Sequence, residues 1–231
     1  MSILSSLKID TSISEGDGFA KKQVFPSELY LTVIKSAYLE EAKSEALAVN
    51  ITFDLLNGEE YKEKMYITSG AAKGKKNYYE KNGEKTYLPG FSKMNAICKL
   101  ITGSDLSAQD VEDKLVKVYD FDLKKEILVK KPCITSLQEV SIVIGLLEKE
   151  EFKRIKDGNN YIESDEIVTV NEIDKIFNNE SLSLVEVLAG KTEPEHSEKW
   201  RKDNAGIVRK VKKKAAANTT TLKAAAKEYD I

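Results

Sequence analysis

The 231-residue sequence holds little of what catalysis and metal binding draw on. It has one histidine, His196, and two cysteines, Cys98 and Cys133. A general base needs a fixed hydrogen-bond partner, and His196 lies in a polar stretch, GKTEPEHSEKW, that offers none. There is no Ser-His-Asp set. Residues 70–76, GAAKGKK, lack the four-residue glycine gap and the Gly-Lys-Ser/Thr ending of a phosphate loop. The cysteines are far apart and neither belongs to a Cys-x-x-Cys pair, so they read as buried free thiols, not zinc ligands. Asp54, Asp120 and Asp122 are of the type that holds magnesium in nucleases, but nothing in the sequence places them together. No catalytic step, metal or cofactor is expected. No apolar run approaches the roughly 18 residues of a membrane span. The N-terminus lacks the basic segment and long apolar run of a secretion signal. The expectation is a cytoplasmic protein with no membrane partner.

Charge is abundant and nearly balanced, at 32% charged residues and a net of −2. Its distribution is uneven. From Lys191 onward there are 11 basic and 6 acidic residues, a net of +5, against 25 basic and 32 acidic in the remainder, a net of −7. Within residues 62–99 there are 9 lysines and 3 acidic residues. A basic surface inside an acidic body points to a specific anionic ligand.

The stretch 61–101, YKEKMYITSGAAKGKKNYYEKNGEKTYLPGFSKMNAICKLI, carries that surface. As a strand, 61–68 alternates between faces. Tyr61, Glu63, Met65 and Ile67 point one way, and Lys62, Lys64 and Tyr66 the other. The following excursion adds Lys73, Lys75, Lys76, Tyr78, Tyr79, Lys81, Lys85 and Tyr87. Cations track phosphates and aromatic rings stack on unpaired bases, the combination that single-stranded nucleic acid requires. An ordinary solvated strand face, or tyrosines packed under their own loop, would leave the same composition. Phe91 and Met94 read as core.

In chain order, residues 1–26 read as an extended N-terminal arm. Strands are expected at 29–38, 46–55 and 59–68, the last two joined by Asn57-Gly58 as a type I′ turn. Asn82-Gly83 turns a smaller hairpin. A helix from Ser92 to about Thr102 puts Met94, Ile97, Cys98 and Ile101 on one apolar stripe and stops at Gly103. A second helical piece is expected at 107–114, strands at 115–121 and 126–130, and a central buried strand at 140–148. A ribbon turning at Asp157-Gly158 carries Phe152, Lys153 and Arg154, a ring beside two cations that suits clamping DNA as well as it suits a solvated edge. Residues 172–177 read as a helical turn. From 181 to 231 the chain reads as a flexible basic C-terminal tail, in which the run 209–214 suits phosphate contact or plain solubility.

Five short strands with a helix between the third and fourth fit a mainly β fold with helices, an OB-fold-like barrel over residues 27–180. The run from Tyr66 through Thr102, with YITSG, NYYEKNGEKTYLPGF and CKLITG, resembles phage-encoded single-stranded DNA-binding proteins. The similarity continues through VKVYDFDLKKEILVKKP to NEIDKIF and covers about residues 29–178. That resemblance implies an OB-fold protein that coats single-stranded DNA during phage replication and recombination in the host cytoplasm. The C-terminal end, Lys227-Glu228-Tyr229-Asp230-Ile231, departs from the acidic tip through which many such proteins recruit replication enzymes.

The DNA-binding set expected from the strand-face argument is Lys62, Lys64, Tyr66, Lys73, Lys75, Lys76, Tyr78, Tyr79, Lys81, Tyr87, Phe152, Lys153 and Arg154. The partners implied are single-stranded DNA, phage or host replication proteins through the tail, and neighbouring copies along the DNA. RNA binding stays open at this point. The alternative is a non-enzymatic interaction module that modulates a polymerase or recombinase.

Overall fold

The computed structural model describes residues 24–211 except 121 and 159. The fold is mainly β with few helices. A long strand β1 (Glu28–Glu41), β2 (Leu47–Asp54) and β3 (Glu60–Tyr66) form an antiparallel meander. A small hairpin of β4 (Tyr78–Lys81) and β5 (Glu84–Tyr87) follows, then helix α1 (Pro89–Thr102). A second hairpin, β6 (Val111–Asp120) and β7 (Lys125–Ile134), precedes two 18-residue strands, β8 (Val140–Asp157) and β9 (Asn160–Phe177). The order across the main sheet is β3-β2-β1-β8-β9. Within that sheet α1 falls between the third and fourth strands of the chain, as the sequence pattern requires.

The core follows from alternation. Val49, Ile51 and Phe53 on β2 and Tyr61 and Met65 on β3 are buried with Ile142, Ile144 and Leu146 on β8. Met94, Ile97 and Cys98 of α1 are buried in the same core. Gly90 lets the helix start against the strand: a Cβ there would lie 2.3 Å from the Tyr66 carbonyl oxygen. Gly103 closes the helix in the left-handed region at φ 73°, the conformation that favours glycine.

The sheet is not closed into a barrel. No backbone ladder joins β3 to β9 among the described residues; side chains span the gap instead. The Glu63 carboxylate accepts from the Tyr61 hydroxyl at 2.7 Å and from the Ile173 N–H at 3.0 Å, and Lys93 of α1 lies 3.6 Å from it. An inward-pointing charge on an edge strand opposes further strand pairing, and Glu63 stands at this gap.

Several expected elements change. Residues 107–114 hold only a 3-10 turn, Leu106–Ala108, before β6 begins. Residues 172–177 are strand, because Ile173 and Ile176 fill the core opposite β8. The turn after β2 takes positive φ at Leu56 and Gly58 and not at Asn57, so it is not type I′; Asn82-Gly83 does have positive φ at both residues. Of the N-terminal arm, residues 1–23 lie outside the described residues, while Phe25 is core, ringed by Tyr30 and Tyr61.

The tail expected from residue 181 is folded as far as Arg209. α2 (Leu184–Leu188), α3 (Glu195–Asn204) and a two-residue strand β10 (Val208–Arg209) lie on the outside of the sheet, and β10 pairs in parallel with β8. Trp200 anchors this segment over Val143, Leu147 and Phe177. It lies against Gly145, where a Cβ would come within 3.0 Å of the indole. Residues 212–231 lie outside the described residues.

Candidate nucleic-acid interface

The outward face of the meander is polar. On β3 the alternation places Lys62, Lys64 and Tyr66 outward, opposite Thr52, Asn50 and Ala48 of β2. Ser36, Tyr38 and Glu40 of β1 continue the face. The β6–β7 hairpin crosses it as an arm, joined to β1 through the pair Tyr38 and Cys133. Between arm and sheet runs a cleft of about 360 Å³, lined by Lys35, Thr52, Lys62, Lys114, Leu115, Lys117 and Glu126 among others.

Carboxylates already hold many of these cations. Lys64 donates to Glu40 at 2.6 Å, and Asn50 donates to the same oxygen at 3.0 Å. The Lys64 hydrogen bond is the main reason that the Glu40 carboxyl is held below its ordinary range. Lys62 lies 3.4 Å from Glu126 on the arm and 3.5 Å from Glu60. Lys35 bonds Asp54 at 3.0 Å, which raises the lysine and lowers the aspartate. A phosphate entering this cleft exchanges one anion for another.

Beyond β3 the chain turns sharply, and Gly70 packs so close to Ser44 that a Cβ would lie 2.6 Å from its carbonyl oxygen. Lys73 is exposed in a 3-10 turn, and Lys75 pairs with Glu45 at 2.6 Å and Glu41 at 3.4 Å. The β4–β5 hairpin then sets Tyr78 opposite Tyr87. The ammonium groups of Lys76 and Lys85 lie 5.4 and 5.0 Å from the Tyr78 ring centre, and Lys64 lies 5.6 Å from that of Tyr66. The Tyr87 ring centre lies 4.8 Å from that of Phe91 of α1; Tyr87 is 57% exposed, and Tyr66 and Tyr79 are 47% and 44% exposed. Lys81 stands beside Tyr79 on β4, opposite Glu84, without a carboxylate partner among the described residues.

The structure thus brings Lys62, Lys64 and Tyr66 to one face, and places the hairpin with Tyr78, Tyr79, Lys81 and Tyr87 just beyond its end. Phe152, Lys153 and Arg154 do not line the cleft. They lie on the protruding β8–β9 ribbon, where Phe152 opposes Ile167, Lys153 bonds Glu166 at 2.8 Å, and Arg154 opposes Glu163. The strand at 115–121 was expected from its alternation, but Lys114, Leu115 and Lys117 were not read as site residues, because alternation does not say that this strand stands over the meander. The period-2 run from 115 to 119, Leu-Val-Lys-Val-Tyr, is the signal that marks it as strand. Val116 is buried, and Leu115 and Tyr119 are 67% and 48% exposed.

Among the described residues no group of three or more histidine, cysteine or acidic side chains is placed to hold a metal. No described helix is long and apolar enough to cross a membrane. Comparison with family models, curated proteins and solved structures found no match for this chain.

Proposed function

We propose that this chain binds single-stranded DNA with little sequence preference and coats exposed strands during phage replication and recombination in the host cytoplasm. The observation that carries this reading is a set of tyrosines and lysines just past β3: exposed Tyr66 and half-buried Tyr78 lie beside ammonium groups, and Tyr79 and Tyr87 on the same hairpin are exposed. Tyr66 lies by Lys64, and Tyr78 lies between Lys76 and Lys85. Rings of this kind stack on bases at about 1–3 kcal/mol each, and the lysines follow the phosphates. The resemblance over residues 66–102 supports the same reading.

The fold is read here as an open OB-type curl. Such folds are partly open five-stranded barrels that bind oligonucleotides on their second and third strands and adjoining loops. Lys62, Lys64 and Tyr66 occupy that third strand. Binding displaces Glu40, Glu60 and Glu126 from their lysines and releases counterions, so affinity falls steeply with salt. The N-terminal arm and the basic run that follows Arg209 are assigned to contacts with neighbouring copies or with replication proteins.

Titration of a fluorescent oligo-dT of about 30 nucleotides, at two salt concentrations with duplex competitor, tests the reading. The expected result is salt-weakened binding that duplex fails to compete. Tyr87→Ala should weaken it about tenfold, and Lys64→Glu should weaken it and flatten the salt dependence. Absence of binding at low salt would remove the proposal and leave the interaction-module reading.

A further inference from the structure

A second groove, of about 740 Å³, lies between α1, β9, α2 and α3 and shares no lining residue with the cleft. Its apolar lining includes Ala96, Ile176, Phe177 and Trp200, and Val185 stands at its edge 67% exposed. The cations around it are Lys93, Lys175, Lys199 and Arg209. Lys175 and Lys199 are exposed and have no carboxylate partner among the described residues. Lys93 is already paired with Glu63 and Glu172, and two aspartates line the groove, Asp174, which accepts from the Trp200 indole N–H at 2.6 Å, and Asp203, so the excess of positive charge rests on Lys175, Lys199 and Arg209. A basic rim around an apolar floor fits an acidic segment with aromatic or aliphatic anchors.

We propose that this groove docks residues Glu228 to Ile231 of the same molecule. Three observations select that occupant. The only acidic residues after Asp203 are Glu228 and Asp230, and they alternate with Tyr229 and Ile231, two side chains suited to the apolar floor. The lysines before them, Lys212, Lys213 and Lys214, are repelled by the rim, so the acidic end is the part that seats. Arg209 lines the groove itself, and Tyr229 follows it by 20 residues. An extended chain of that length reaches roughly 60 Å or more. A short tether also supplies an effective concentration on the order of millimolar, so modest intrinsic affinity suffices. The proposal stands apart from the nucleic-acid reading, since it uses none of the cleft's residues.

The test is photo-cross-linking in the full chain with p-benzoylphenylalanine in place of Tyr229. The expected product is a cross-link within one chain to α1, α2 or α3 at the groove. Lys175→Glu combined with Lys199→Glu should cut its yield at least fivefold, and adding Glu228→Lys with Asp230→Lys should restore it. The chain's single tryptophan, Trp200, supplies a second readout. Glu228→Lys with Asp230→Lys in the otherwise unchanged chain should shift its emission. Cross-links that form only between chains, that fall outside the groove, or that ignore the lysine reversals would overturn the proposal, as would an unmoved Trp200 spectrum.

Discussion

Gly90 and Glu186 show how single residues fix this structure. At Gly90 the first turn of α1 touches the backbone of Tyr66, so any side chain pushes helix and strand apart. Gly90→Ala should cost about 1–3 kcal/mol, as overpacking does, read as a lower urea midpoint. Because Tyr66 sits at the point of contact, oligo-dT binding should weaken in the same variant. Glu186 is a buried carboxylate in a capping box. Burial works to raise its pKa, but the Ser183 N–H, the His196 N–H and the Ser183 hydroxyl all donate to it, and together with the nearby His196 ring they hold it below the ordinary value of 4.5. A depressed carboxyl contributes stability above its unfolded value and loses it as pH falls through the folded one. The α2–α3 segment should therefore loosen as pH falls below the ordinary carboxylate value of 4.5, seen as a change in Trp200 emission. In Glu186→Gln that pH dependence should be absent. Neither role was legible in the sequence. Ser183 and Glu186 have capping-box spacing, but the residue that completes their network, His196, is ten positions further on.

At the scale of elements, the seam between β3 and β9 decides the shape of the sheet. Glu63 bridges it by accepting from Tyr61 and from the Ile173 backbone. Glu63→Ala leaves that buried N–H without its acceptor, and should cost about 1–3 kcal/mol in urea denaturation. Glu63→Gln, which keeps an acceptor, should lose less. The alternation of β3 made Tyr61 and Met65 legible as core and Lys62 and Lys64 as surface. It did not mark Glu63 as a seam, because alternation assigns a side chain to a face without saying what stands across from it. The same limit explains residues 172–177. Their apolar spacing suits a helical turn as well as a strand, and pairing with β8 decided it.

Across the whole molecule, the β6–β7 arm is held over the meander by a short register with β1 and by ion pairs that cross the cleft. Lys62 meets Glu126, and Lys131 lies 3.9 Å from Glu40. The Lys62–Glu126 pair is exposed and the Lys131–Glu40 pair is half-buried, and exposed pairs contribute roughly 0–1 kcal/mol to stability. Their larger effect is competition with phosphate. Glu126→Gln leaves Lys62 with Glu60 as its one carboxylate partner and should tighten oligo-dT binding about two- to fivefold at low salt, with little change in urea midpoint, as fluorescence anisotropy would record. Unchanged or weaker binding would mean that Glu126 does not guard the cleft.

The sequence by itself determined the meander, the apolar stripe of α1, the central strand of β8 and the outward face of β3, because each is written in local periodicity and turn residues. It also located the lysine- and tyrosine-rich excursion. Only the tertiary structure decided that the sheet stays open, that residues 182–209 fold back onto it, and that β6–β7 forms the second wall of the cleft. Those outcomes depend on pairs distant in the chain: Glu63 with Ile173, Trp200 with Gly145, Lys62 with Glu126. Local pattern fixes which face a side chain takes, and long-range packing fixes what it meets there.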